Sequence, residues 1–248
     1  RSTPNQTLSG TGSINLAGGA LRMEGTGQTT TGANITIRGS GTVGQATLLS
    51  GQHTWVHNGL VSADVSGQTL NLVNPGNGSV PIQNNGILEA INGGRLLLSA
   101  DVTAATGSQM RAGTGSVIEM NGVRVTGTVN TTGTGSFRAN GSINNVLSGV
   151  TLNGNLDMAS LAASTRVSEG LALNGAIDVG NSSVLYFDNR ITPNQAISGT
   201  GSINLAGGAL RMEGTGQTTT GANVAIRGHG TVGQATLQAG QYTWINNG

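Results

Sequence analysis

Three histidines, ten carboxylates and eleven arginines supply nearly all the acid–base and ionic chemistry open to this 248-residue sequence, which has no lysine and no cysteine. His53 and His57 stand four apart in HTWVH. On a helix that spacing suits a shared metal ion, but on a strand it sets both rings on one face about 13 Å apart, too far for one ion. His229 stands alone. Glycoside cleavage needs two carboxylates about 5–10 Å apart. Asp157 and Asp178, 178 − 157 = 21 positions apart, are the pair whose spacing would stack them on neighbouring turns of a coiled sheet. The plainer reading, and the one adopted, is two solubilising charges on an outer face. Gly39-Ser40-Gly41-Thr42-Val43-Gly44 matches the GxGxxG of dinucleotide sites, with Asp64 twenty residues past Gly44. That motif works only where a helix follows and offers its N-terminus to a pyrophosphate. Here QATLLSGQHTW follows, so the glycines are read as a tight corner.

The remaining candidates are structural in the same way. Arg22 and Glu24, and again Arg211 and Glu213, are expected to form exposed pairs worth well under about 1 kcal/mol. Thr29-Thr30-Thr31 invites comparison with ice-binding surfaces, which need threonine pairs in register, whereas threonine here is scattered. Trp55 and Trp244 are expected to be buried anchors in preference to sugar-stacking platforms. Six N-x-S/T sequons, at Asn5, Asn34, Asn77, Asn130, Asn140 and Asn181, are about as many as 25 asparagines give by chance. Calcium repeats of the GGxGxDxUx type are absent. The sequence therefore names no catalytic, cofactor-binding or metal-ligating residue, and an enzyme is not expected.

Composition narrows the class of partner. Net charge is +1 and charged residues make up 8% of the chain, with no basic stripe to track phosphates, so nucleic-acid binding is not expected. No apolar run reaches the length of a membrane-spanning helix, and membrane insertion is not expected either. Lack of cysteine excludes a disulfide scaffold. Disorder would need low hydrophobicity with high net charge, and the evenly spread apolar residues and near-zero charge argue for a folded chain.

What positions these residues is a set of short strands. Single charges sit between apolar neighbours: Arg22 between Leu21 and Met23, Glu89 between Leu88 and Ala90, Glu119 between Ile118 and Met120, Arg124 between Val123 and Val125. Asp157 and Asp178 are flanked likewise. Alternation of this kind turns the charge outward and its neighbours inward across a strand, and no helical stripe competes with it. Asn-Gly pairs break the strands at Asn58-Gly59, Asn85-Gly86, Asn121-Gly122, Asn153-Gly154 and Asn174-Gly175. Such pairs can close hairpins. Here the phrases between them run for about 20–25 residues and hold two or three strands each, a rung length that predicts an all-β solenoid.

The longest-range feature is a copy. Residues 1–59 return as residues 190–248 with 48 of 59 positions identical and no gap, and residues 9–34 recur unchanged. Residues 1–189 thus form one full sequence repeat, 190–248 the start of the next, and 1–248 is expected to be one continuous solenoid. A native chain built this way is expected to continue past Gly248 with a copy of residues 60–65, and to be preceded by a segment like residues 182–189. Among the 11 differing positions, Leu8/Ile197, Ile35/Val224 and Val56/Ile245 exchange aliphatics and are predicted to face inward, while Ser40/His229 and Leu49/Gln238 are predicted to be exposed.

The phrases NNGILEAINGGRLLLSADV, GTGSVIEMNGVRVTGTV and LSGVTLNGNLDM resemble the rungs of large secreted β-helical exoproteins of Gram-negative bacteria, among them filamentous-haemagglutinin-like adhesins and autotransporter passenger regions. The resemblance implies a right-handed parallel β-helix, export to the cell surface, and work as a structural or adhesive fibre. Self-association and cell-surface or matrix glycans are the contacts it suggests. A polysaccharide-degrading β-helix and a self-binding filament or sheath are the alternatives.

Overall fold

In a computed structural model that describes residues 5–44, 46–48, 51–76, 80–234 and 240–248, all the regular structure is β. The strands stack as a parallel β-solenoid of about 10 turns. Asn77 and the pair Leu49/Gln238 lie outside the described residues. The chain divides into two compact units, residues 1–136 and 137–248, and the division does not coincide with the start of the second copy at residue 190.

Over residues 60–131 of the first unit, a strand pairs with the one three places further along the chain. The Thr69–Val73 strand lies beside Arg95–Ser99, which lies beside Val117–Met120. Ile82–Asn84 pairs with Val102–Ala104 and that with Arg124–Val125. Ile87–Ala90 pairs with Gln109–Ala112 and that with Thr128–Thr131. Three strands per turn make three walls, and every one of these pairings is parallel, which no hairpin can produce. Turn length varies: hydrogen-bonded partners on neighbouring rungs are 27 residues apart at Ser62 and Glu89 but 19 at Arg138 and Asp157. Rungs are thus somewhat more variable than the expected 20–25 residues.

Parallel register puts like on like. Val61, Leu88, Met110 and Val129 form one inward ladder, and Leu70, Leu96 and Ile118 another; all of them are wholly buried. Each such side chain contributes about 1.5–3 kcal/mol by leaving water. The Asn-Gly pairs are corners. Asn85 Nδ2 donates to Asn58 Oδ1 at 2.9 Å and Asn174 Nδ2 to Asn153 Oδ1 at 2.8 Å, so asparagines also stack rung on rung. A Cβ on Gly86 would strike the Gly59 carbonyl, and one on Gly175 the Gly154 carbonyl. Close approach of backbones, not a hairpin turn, is what selects glycine there.

The second unit also stacks its strands in parallel, with longer strands that each run along more than one wall. Asn155–Asp157 pairs in parallel with Ala176–Gly180, Ala176–Gly180 with Ser202–Glu213, and Ser202–Glu213 with Ala225–Gln234. Leu156, Ile177 and Ile203 stack as its core ladder, each wholly buried.

Candidate functional site

The GxGxxG segment lies inside the Ile35–Gly44 strand. Gly39, at φ +107, leaves no room for a Cβ against the Leu16 carbonyl, and Gly41, at φ +132, none against the Gly19 carbonyl. Their copies Gly228 and Gly230 meet the Leu205 and Gly208 carbonyls in the same way. The glycines pack rung on rung, as a corner reading requires.

His53 and His57 share one face of the His53–His57 strand, and that face is the interior. The Thr29 hydroxyl and His53 Nε2 are 2.9 Å apart, and Trp55 Nε1 donates to Thr31 Oγ1 at 2.7 Å. Thr29 and Thr31 thus line the core, and only Thr30 of the three threonines turns outward. His57 is wholly buried, stacked between Thr31 and Asn84 with its ring centroid 5.4 Å from that of Trp55. Neither of its ring nitrogens has a hydrogen-bond partner. Burial pushes the imidazole down to about 4, against an opposing pull from backbone groups of Ile87 and Gly59. His229 is exposed on the Ala225–Gln234 strand. Among the described residues no three His, Asp or Glu side chains gather as a metal site would need.

The alternation around Trp55 also corrects one expectation. With His53, Trp55 and His57 inward, Val56 points outward, and its counterpart Ile245 is 38% exposed. The exchanges His53/Tyr242 and His57/Asn246, not Val56/Ile245, are the ones at inward positions of this strand. Ile197, Ile35 and Val224 are buried as expected.

Charges cluster on the outside of the first unit. Arg38 stacks on Ser62, Ser62 on Glu89, Glu89 on Arg111, and Arg111 on Asn130, all in register. Glu89 accepts from the Ser62 hydroxyl at 2.8 Å and from Arg111 Nε at 2.7 Å. Arg38 pairs with Asp64, and Arg95 Nε donates to Glu119 at 3.1 Å. In each ion pair the carboxylate is covered and the guanidinium faces water: side-chain exposure is 4% against 52% for Asp64 and Arg38, and 5% against 46% for Glu89 and Arg111. Glu89 and Glu119 lie off the core face, as alternation predicts, yet they are buried beneath arginines one rung away. Two shallow clefts border this ladder, of about 620 Å³ beside Arg111, Gln109 and Asn130 and about 250 Å³ beside Arg38, Thr36 and Asp64.

Asp157 and Asp178 are in-register neighbours on adjacent rungs, as their spacing suggests. Asp178 accepts from Asn204 Nδ2 at 2.8 Å. Asp157 accepts from the Ser160 and Ala159 amides, each at 3.0 Å, from the Ser160 hydroxyl, and from Arg138 Nε at 3.2 Å. Burial pushes its carboxyl up, but the Ser160 hydrogen bonds, Arg138 and the Ala159 amide outweigh burial and hold it below the usual range. A general acid for glycoside cleavage needs the opposite shift.

The identical Arg-Met-Glu segments of the two copies sit differently. Glu24 accepts from the amides of Thr47 at 2.9 Å and Leu48 at 3.0 Å. Glu213 is wholly buried, paired with Arg166 and Arg190, which also hold Asp188, so it is not the exposed group that sequence suggests. Burial pushes Asp188 up; hydrogen bonds from Arg190, and the Arg190 and Arg166 charges, more than offset it and leave the carboxyl lowered. The Arg166 guanidinium lies 5.0 Å over the Tyr186 ring. Trp244 repeats the Trp55 contact, donating to Thr220 at 3.0 Å. Sequence reading missed these networks, although opposite charges one rung apart, 22 residues for Glu89 and Arg111 and 24 for Arg95 and Glu119, carry the signal.

No protein family, no curated protein and no solved structure matches the chain.

Proposed function

We propose that this chain is a structural and adhesive segment of a repetitive bacterial surface or extracellular fibre, of the kind built by filamentous-haemagglutinin-like adhesins and autotransporter passengers. The observation that carries the reading is that both copies build the same rungs. Thr29 stacks on Trp55 and Thr218 on Trp244, and Ser13 stacks on Thr36 as Ser202 does on Ala225. A fibre assembled from copies of one unit requires that. Its exterior is mostly uncharged Gly, Asn, Ser and Thr, with charges neutralised pairwise, which suits many weak contacts to cell-surface or matrix glycans along its length. A polysaccharide-degrading β-helix is less well supported, because Asp157, Asp64 and Glu89 are each held by arginine.

Beads coated with one, two or three tandem 189-residue units test the proposal. Attachment to glycan-coated surfaces should rise more steeply than unit number. Release of reducing ends from those glycans, or attachment no better than bare beads, would overturn it.

A further inference from the structure

We propose that the second unit carries a binding pocket for one neutral monosaccharide residue, centred on the carboxylate of Glu169. The proposal rests on the adhesive reading and gives it a specific contact. The Ser164–Leu173 strand loses register against Asn145–Asn153: Ser148 lies opposite Ser168 and Val150 opposite Leu171, so Gly149 alone faces both Glu169 and Gly170. This is a β-bulge, a device that re-aims side chains at functional surfaces. Both bulged residues have positive φ, +63 for Glu169 and +83 for Gly170. Glycine takes such a conformation freely, whereas glutamate rarely does. The bulge between Ala17 and Ala20 uses Gly18 and Gly19 instead. At residue 169 a charged side chain stands in a place where glycine would be easier, and that is the pattern of strain kept for a purpose.

The bulge opens a concavity of about 340 Å³ lined by Glu169, Thr192, Asn194, Gln195 and Ser198 around Ala172 and Ala196. That volume is at the small end of ligand pockets and fits one sugar ring. Its walls are fixed. The Ser148 hydroxyl donates to Glu169 Oε2 at 2.8 Å, and Gln195, only 4% exposed, accepts from the Gly170 amide at 3.3 Å and donates to Asn189 Oδ1 at 3.0 Å. A carboxylate accepts from neighbouring hydroxyls, while Thr192, Asn194 and Ser198 can donate and accept in turn. Ala172 and Ala196 offer small apolar surface to a ring's C–H face, while Leu171 is turned into the core. A cation would call for a second carboxylate or an aromatic face, and an anion would be repelled by Glu169; the lining has neither aromatic nor arginine.

The test is an amide NMR titration of the whole chain with the methyl glycosides of glucose, galactose, mannose and N-acetylglucosamine. At least one should shift the Gly149, Gly170 and Gln195 amides saturably, with a dissociation constant of roughly millimolar order. Glu169→Gly supplies the residue that the backbone prefers but leaves the buried Ser148 hydroxyl without its acceptor. The two effects oppose, so the chain should stay folded with a melting temperature shifted by no more than about 5 °C, while affinity should drop at least tenfold. Gln195→Ala should weaken binding as well. Absence of shifts with all four glycosides, unchanged affinity in Glu169→Gly, or the same shifts with methylammonium chloride in their place would overturn the pocket. Bead attachment that survives Glu169→Gly would overturn the pocket as the adhesive contact and leave the fibre reading standing. Glycoside binding by a chain whose beads do not attach would support the pocket and overturn that reading.

Discussion

His57 is the residue whose chemistry is most altered by folding. An imidazole with no partner at either nitrogen stays neutral in the core, and burial sets its folded value at about 4 against 6.5 in an open chain. The unfolded chain therefore binds the extra proton first as acid is added. Stability is unaffected above the unfolded value, falls as pH drops through the window from 6.5 toward about 4, and the full loss is roughly 3 kcal/mol. Urea melts followed by tryptophan fluorescence, from Trp55 and Trp244 together, should show that decline. His57→Asn, which installs the residue found at the matching position of the other copy, should flatten the curve across that window; an equally steep decline in the variant would mean that another group titrates. A second expectation concerns Glu89. Removing its carboxylate in Glu89→Ala leaves the Ser62 hydroxyl and the Arg111 guanidinium without their acceptor and should cost about 1–3 kcal/mol, read from the shift in denaturant midpoint. Double substitution with Arg111→Met should recover part of that loss, because the orphaned charge is then gone.

At the scale of the strand and its corner, glycine has two different jobs that sequence alone cannot separate. Gly86 has no special φ, but its Cβ would meet the Gly59 carbonyl of the rung beside it; Gly12 has neither constraint. Gly86→Ala should therefore lower stability by about 1–3 kcal/mol through forced backbone displacement, while Gly12→Ala should be neutral or slightly stabilising. Thermal melts of the two variants separate crowding from chain entropy, and equal effects would refute the stacked-corner account. The same distinction explains what was legible in the sequence. Leu88-Glu89-Ala90 and Ile118-Glu119-Met120 announce strands because an isolated charge between apolar neighbours fits only a two-residue period, and the structure buries Leu88, Ala90, Ile118 and Met120. HTWVH misleads because its inward face carries the polar histidines, so Val56 looks like the core residue when it is not. The bulge at Glu169 was not legible at all, since SEG contains only one glycine and nothing in it marks a left-handed glutamate. Ion pairs one rung apart fall between: visible once the turn length is known, hidden while it varies from 19 to 27 residues.

Charge is sparse over the whole molecule, and most of what exists is spent internally. Among the described residues Arg38, Arg95, Arg111, Arg138, Arg166 and Arg190 pair with Asp64, Glu119, Glu89, Asp157, Asp188 and Glu213, and the net charge is +1. Five of these six acids have side chains no more than 5% exposed, so salt screens them less than it would screen pairs open to water. Hydrophobic ladders and backbone pairing between rungs supply the rest, and neither depends on ionic strength in the way that surface charges do. Thermal stability should consequently change by no more than about 2 °C between roughly 0.05 and 0.5 M sodium chloride, since long-range repulsion to be screened is absent. Bead attachment to neutral glycans should be equally indifferent, and heparin or DNA columns should not retain the chain above the lowest salt, because a protein that releases few counterions has a shallow salt slope. Calorimetry and column elution across that range measure both. A steep salt dependence of adhesion would show that exposed guanidinium groups such as those of Arg38 and Arg111 make the contact, and would replace neutral-glycan adhesion by recognition of an acidic polymer along the ion-pair ladder.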